Sequence, residues 1–471
     1  MDRNMQDHRE EDEEGVHLTL DDVQDVIEDD GQDGDEPMDE DDDDGDDGEQ
    51  QQQAFEDTSL AAFYAHKDSV FHLSLHPSYP NPPLAFSGGA DDKGRLWDTR
   101  TGEALVELGG HTDSVVAGGF SATGEYVATG GLDGKVRVWK LHPAPAGTKG
   151  FEPRAVEDGQ AERREWGACQ FVTNLEGPDE IVWTAWHTKG NVIAAGGSDA
   201  TVWMWKLPGG NVMNVFSGHT AAVTCGRFTP DGKRLVTASE DGSLLVWDPR
   251  STSALSKVSP TDTRFNMDAG ITSLCLSPDS KLAIVGGAAG TIRIVNLANI
   301  EEGGAALVVG ALEGHAEGES IEGLEFVDLL GNTSGTQPQA APRAQANAAN
   351  FAISAGTDGK AVVWDLSTGK IRCEVMHDDA ITSMTLHGSG PIFSTSSADG
   401  TARTWDARTA ANLAVHRGFT DGVLAVVAGP DDGYTQGAES GGVGAYVNLA
   451  DSKGWKVIAA GDEGVSLVFR V

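Results

Sequence analysis

The chain has 471 residues, with 74 Asp or Glu against 33 Lys or Arg, giving a net charge of −41. That length exceeds one ordinary compact domain and points to a repeat architecture or several domains. Nucleic acid recognition uses clustered Lys and Arg, so this composition argues against a nucleic acid partner and for a basic protein.

In chain order, residues 1–57 carry 27 Asp or Glu and two Arg, including the runs DEDDDDGDD and QQQQ. Too little apolar surface is available there to offset the entropy of ordering, so this segment is expected to be a disordered acidic tail. Within it, TLDDVQDVI at 19–27 places Leu20, Val23 and Ile27 on one helical face; either a short docking helix or a few apolar residues in a solvated tail fits. A calcium loop around Gly45 is disfavoured because it would end in Gln51 rather than a bidentate Glu. The N-terminus lacks an apolar signal core, and no run is long and apolar enough to span a bilayer. A soluble protein of the cytoplasm, with the nucleus as a second compartment, is expected. Cys169, Cys225, Cys275 and Cys373 lie far apart without zinc-type spacing, which predicts buried reduced thiols, no metal and no cofactor.

From residue 60 a unit recurs: an apolar strand, a turn, a small-residue strand ending near Gly-Gly-x-Asp-Gly, and an alternating strand ending in Trp-Asp or Trp-Lys. The third strands end at Trp97, Trp139, Trp205, Trp247, Val295, Trp364, Trp405 and Phe469, mostly 41 to 48 residues apart. Longer intervals predict insertions at about 142–165, 298–318 with 331–349, and 429–454. The period and pattern resemble WD40 repeats, which implies an all-β, eight-bladed β-propeller over 58–471. The last unit stops after LVFRV, and SLAAFY at 59–64 is expected to supply its missing strand, closing the ring.

A His, a hydroxyl, an Asp and a Trp recur together five times: His66/Ser87/Asp91/Trp97, His111/Thr129/Asp133/Trp139, His219/Thr237/Asp241/Trp247, His315/Ser354/Asp358/Trp364 and His377/Thr395/Asp399/Trp405. Five copies of one active site are implausible, and the sets resemble the structural tetrad of WD40 blades, a hydrogen-bonded brace rather than a catalytic group. Blades three, five and eight depart from it at Ala195, Ala289 and Glu463. No nucleophile elbow, phosphate-cradling loop or metal cluster is present, and no enzyme is expected.

The repeat pattern also assigns three positions per blade to the face bearing the blade-to-blade loops: the residues either side of the first-strand Val or Ile, and the one before the turn Asp. Four of these are acidic, Glu180, Glu240, Glu322 and Asp462, and none is Lys or Arg. Asp179, Asp268 and Asp379 lie in the neighbouring loops, and Phe71, Val116 and Leu424 add apolar contact on part of the rim. Such a face suits a Lys- and Arg-rich peptide, although solvated turn carboxylates of an acidic propeller are the simpler alternative.

Further stretches, GGADDKGRLWD (88–98), WTAWH (183–187), WMWKLPGG (203–210), TCGRFTPDGKR (224–234) and SIEGLEF (320–326), resemble the angio-associated migratory cell protein family. Fungal members of that family include a ribosome-assembly chaperone. The resemblance implies capture of the basic N-terminal segment of a newly made large-subunit ribosomal protein by a monomeric propeller, with contacts at Glu180, Glu240, Glu322 and Asp462 first and Asp179, Asp268 and Asp379 second. A general WD40 adaptor in signalling or ubiquitin ligation, and a histone-binding propeller, are the rival expectations.

Overall fold

The computed structural model describes residues 56–142, 169–329 and 350–471, apart from 389, 432, 436–444 and 447–453. Most of the expected tail, including the 19–27 stretch, lies outside these residues.

Eight four-stranded antiparallel sheets follow one another around a ring. Blade one comprises Val70–Leu75, Leu84–Gly89, Gly94–Asp98 and Glu103–Leu108, and the same order holds through blade seven, Ile381–Leu386 to Ala411–His416. The second strands are buried over nearly their whole length because both of their faces meet neighbouring blades, which explains their Ala, Val, Ser and Gly content. Outer strands such as Lys370–Met376 face solvent along most of their length. The Gly after the turn Asp adopts a left-handed backbone, as at Gly134 (φ 73°) and Gly400 (φ 75°); Asp92 takes that conformation in blade one at φ 60°.

The ring closes with a strand from the other end of the chain. Ala61–Phe63 pairs antiparallel with Ser466–Arg470 in the order Ala61–Val468, Ala62–Leu467, Phe63–Ser466, completing blade eight beside Trp455–Gly461 and Val423–Pro430. Leu60 N–H donates to the Val468 carbonyl at 2.7 Å, and Thr58 N–H to that of Arg417 at 3.0 Å. Phe63 is fully buried and stacks on Trp97 with centroids 4.9 Å apart.

Two expectations need correction. The stretch 298–318 is not a loop throughout: a short 3-10 helix, Ala298–Glu302, leads into Leu307–Leu312, the outer strand of blade five. Of the cysteines only Cys275 is fully buried; Cys169, Cys225 and Cys373 sit on strands that reach partial solvent. All four are free, and burial pushes each thiol up, that of Cys169 to about 12, which disfavours the reactive thiolate.

Candidate functional site

The face bearing the blade-to-blade loops is built from inside outwards, beginning with the recurrent His. In blade seven, Trp405 Nε1–H donates to Thr395 Oγ1 at 2.9 Å, Thr395 lies 2.7 Å from His377 Nε2, and His377 Nδ1 is 3.0 Å from Asp399. Blade six repeats the chain through Trp364, Ser354, His315 and Asp358 at 2.8, 2.7 and 3.0 Å. In blades one and two, His66 and His111 bridge Ser87 to Asp91 and Thr129 to Asp133 at 2.7–2.9 Å. The Asp carboxylate then does two jobs. It accepts from the amide two residues on in its own turn, at Lys135, Ser243, Lys360 and Thr401, and from the amide following the His, at Thr112, Thr220, Ala316 and Asp378. Each tetrad thereby fixes the 2–3 turn to the incoming blade-to-blade loop, which sets the shape of the face.

Three tetrads differ from the sequence expectation. In blade two, His111 joins Thr129 to Asp133, but no hydrogen bond links Trp139 Nε1 to Thr129. In blade one, Trp97 Nε1 has no partner among the described residues, because its ring lies flat against Phe63 of the closing strand. In blade four the set His219/Thr237/Asp241/Trp247 is not a direct four-membered chain. Thr237 Oγ1 accepts from Trp247 Nε1–H at 2.8 Å and lies 2.8 Å from His219 Nε2, so the buried half is intact. The outer half is rerouted: His219 Nδ1 stands 3.5 Å from Asp241 and 3.0 Å from Ser243 Oγ, which donates to Asp241 at 2.6 Å. Ser243 thus makes a fifth member between Thr237–His219 and the turn Asp. Where a tetrad member is missing altogether, other groups take its place. Glu463 reaches the Thr420 amide and hydroxyl in blade eight, and Met267 occupies the His location in blade five, against Gly287.

The brace should be costly to break. Thr395→Val would leave His377 Nε2 and Trp405 Nε1 buried without partners, a cost of about 2–4 kcal/mol, whereas Thr395→Ser keeps both bonds. Denaturant unfolding of the two variants checks this, and equal midpoints would contradict it.

Burial pushes His66, His111 and His219 down, the last to about 4, despite the opposing pull of the Asp partner. A second buried chain, His387–Ser394–Thr404–His416 at 2.7–2.9 Å, holds His387 at about 3, chiefly by burial with help from the His416 charge, and His416 at about 4 by burial. The unfolded chain therefore takes up protons below its ordinary histidine value of 6.5 that the folded chain refuses. Stability is full above that value and falls towards pH 4, by up to about 1.4 kcal/mol per unit for each histidine. A melting temperature clearly lower at pH 5 than at pH 7 is expected, and an unchanged one contradicts the neutral histidine brace.

On this frame the three face positions of every blade meet. The residue before the turn Asp donates its N–H to the carbonyl of the residue before the first-strand Val or Ile in all eight blades, at 2.9–3.3 Å, as with Ser198 to Glu180 and Asp462 to Gly422. Each first strand is also bulged at the residue after that Val or Ile, namely Phe71, Val116, Val182, Thr224, Thr272, Glu322, Thr382 and Leu424. A bulge redirects the side chain it carries, here at the channel mouth.

Phe71, Glu180, Glu240, Glu322, Asp462, Asp179, Asp268 and Asp379 are all exposed. Their availability differs. Glu180 and Glu240 have no side-chain partner among the described residues, while Glu322 accepts from Ser320 Oγ and Asp462 from Ser69 Oγ. Asp68, Asp113, Asp379 and Asp421 each accept the next residue's amide at 2.7–2.9 Å, so one oxygen shapes the loop and the other faces outward. The sequence pattern missed the cations delivered from the third strands: Arg403 pairs with Asp378 and Asp399, and Arg95 with Asp91. The signal was an Arg four residues after the turn Asp. On the opposite face, a cleft of about 740 Å³ at blades three to five is lined by Lys189, Lys233, Arg234 and Arg250 together with Asp231 and Asp248, so its charge is mixed with cations in the majority. Among the described residues no cluster of His, Cys, Asp or Glu could hold a metal, and no helix is long and apolar enough to cross a membrane.

The WD domain, G-beta repeat model matches residues 57–98, 102–140, 169–206, 210–248, 262–296 and 370–406. Angio-associated migratory cell protein of Canis lupus familiaris is 31% identical over 376 residues, covering 78% of this chain and 74% of that protein. Ribosome assembly protein SQT1 of Saccharomyces cerevisiae is 26% identical over 440 residues, 88% of this chain and 87% of that one. Among solved structures, the Chaetomium thermophilum Sqt1 bound to the N-terminus of the ribosomal protein L10 superposes with a TM-score of 0.69 at 26% identity, over 88% of this chain and 100% of its own. With eight blades in a closed ring, the subfamily stretches and a relative of this identity and coverage, the chain belongs to the angio-associated migratory cell protein family of WD40-repeat propellers.

Proposed function

We propose that the protein is a ribosome-assembly chaperone that holds the basic N-terminal segment of a large-subunit ribosomal protein on its carboxylate-rich face, without catalysis. The observation that carries this reading is the convergence of exposed carboxylates from the loops of all eight blades on one braced face, with Glu180 and Glu240 unpaired among the described residues. The Chaetomium relative, solved with such a segment bound, supports the choice of client.

Physically, the face attracts a Lys- and Arg-rich chain before contact, and charge-assisted hydrogen bonds hold it after. Single exposed pairs contribute only about 0–1 kcal/mol, so several must act together. Screening such a basic segment keeps it from polyanions until RNA competes for the same cations. Fluorescence anisotropy with a labelled peptide of the L10 N-terminus tests this. Binding that weakens steeply between about 50 and 300 mM salt is expected. Absence of binding, or affinity indifferent to salt, would reject the reading in favour of an adaptor that holds partners by apolar surface.

A further inference from the structure

The eight bulged side chains divide the channel mouth into two unlike halves. In blades four, five and seven the bulge residue is Thr, and each hydroxyl is turned sideways into the next blade: Thr224 Oγ1–H donates to the Ile271 carbonyl at 2.6 Å, Thr272 to that of Ile321 at 2.8 Å, and Thr382 to that of Val423 at 2.5 Å. Those three threonines are spent on fastening neighbouring blades. Blade six carries Glu322 between them. In blades eight, one, two and three, which are consecutive across the closure, the bulge residues are Leu424, Phe71, Val116 and Val182. None has a polar group to fasten, and Phe71 is 41% and Val182 37% exposed. An unbroken apolar arc therefore lies on one side of the mouth, inside the ring of carboxylates.

Resting on the function proposed above, we infer that this arc makes the site selective: the captured segment must carry a large apolar or aromatic side chain among its cations. That side chain rests on Leu424, Phe71, Val116 and Val182 while the cations reach Glu240 and Glu322 on the other half. The occupant is a basic peptide rather than an uncharged apolar one because carboxylates flank the arc itself, with Asp68, Asp113, Glu180 and Asp462 on the same blades. A purely cationic peptide would gain the electrostatic attraction and forgo the apolar contact; a purely apolar one would leave those carboxylates facing a surface that cannot pair them.

Two labelled peptides of equal length and equal positive charge test the inference, one built of Arg, Gly and Ser, the other with two of its Ser replaced by Tyr and Leu. With the full chain, the second is expected to bind at least about tenfold more tightly at physiological salt. In the Phe71→Ser/Leu424→Ser double variant that advantage should vanish while the salt dependence for both peptides stays as in the parent, since no charge has changed. Phe71 is exposed and Leu424 half-buried, and an unchanged melting temperature confirms that the variant is folded. Equal affinities for the two peptides on the parent, or an advantage that survives in the double variant, would overturn the arc as a selective element. If the Arg, Gly and Ser peptide still binds in those cases with steep salt dependence, the carboxylate reading stands; if neither peptide binds, both fall.

Discussion

Replacing Glu180, Glu240 and Glu322 together by Lys is expected to weaken capture of a basic N-terminal ribosomal peptide on the order of a hundredfold or more, about 2.7 kcal/mol. The three lie on blades three, four and six, and two of them have no side-chain partner among the described residues that the substitution would orphan. Each exposed pair lost costs little by itself. Reversal, however, changes the face by six charges and puts ammonium groups against the ligand's own cations, which slows association and shortens residence together. Because all three side chains are exposed, the melting temperature should hardly move. Undiminished binding with an intact fold would place the client elsewhere on the molecule.

The second large effect concerns closure. Shortening the chain to begin at residue 65 removes Ala61–Phe63, exposing the edge of Ser466–Arg470 and the face of Trp97 that Phe63 covers. The burial of Phe63 alone is worth about 3–5 kcal/mol, and an open sheet edge invites pairing with other chains. A marked fall in melting temperature with concentration-dependent association is expected. A chain starting at residue 55 keeps the strand and should melt like the parent. Equal melting of the two shortened chains would mean that the strand contributes nothing to the ring.

Much of this architecture is written in local sequence. The Trp spacing, the Gly-Gly-x-Asp-Gly turns and the shortened last repeat specify eight blades and their closure because each repeat must satisfy the same buried hydrogen bonds and the same alternation of faces. Where a tetrad varies, the sequence is less informative. That Thr237 and His219 reach Asp241 through Ser243, and that Trp97 gives up its hydrogen bond to stack on Phe63, depends on distances of a few tenths of an ångström and on a residue from another part of the chain.

The carboxylates of the candidate face could be placed from the repeat pattern, since position within a blade determines which end of the ring a side chain occupies. Their freedom to bind could not. Asp378 and Arg403 are 25 residues apart in sequence and meet only because the third strand and the blade-to-blade loop converge. The unlike halves of the mouth were hidden for a similar reason: a Thr hydroxyl that fastens the next blade and one that faces a ligand look identical in sequence, and only the bulge and its cross-blade carbonyl separate them.

Hydrogen–deuterium exchange of the full chain with and without the basic L10 N-terminal peptide tests the central claim most directly. Slowed exchange is predicted in the blade-to-blade loops around Asp68, Asp113, Glu180, Asp268, Glu319, Asp379 and Asp421 and in the second-to-third-strand turn at Glu240, with the outer strands unchanged. Protection confined to outer strands such as Lys370–Met376, or to the opposite-face loops around Lys189 and Lys233, would contradict it.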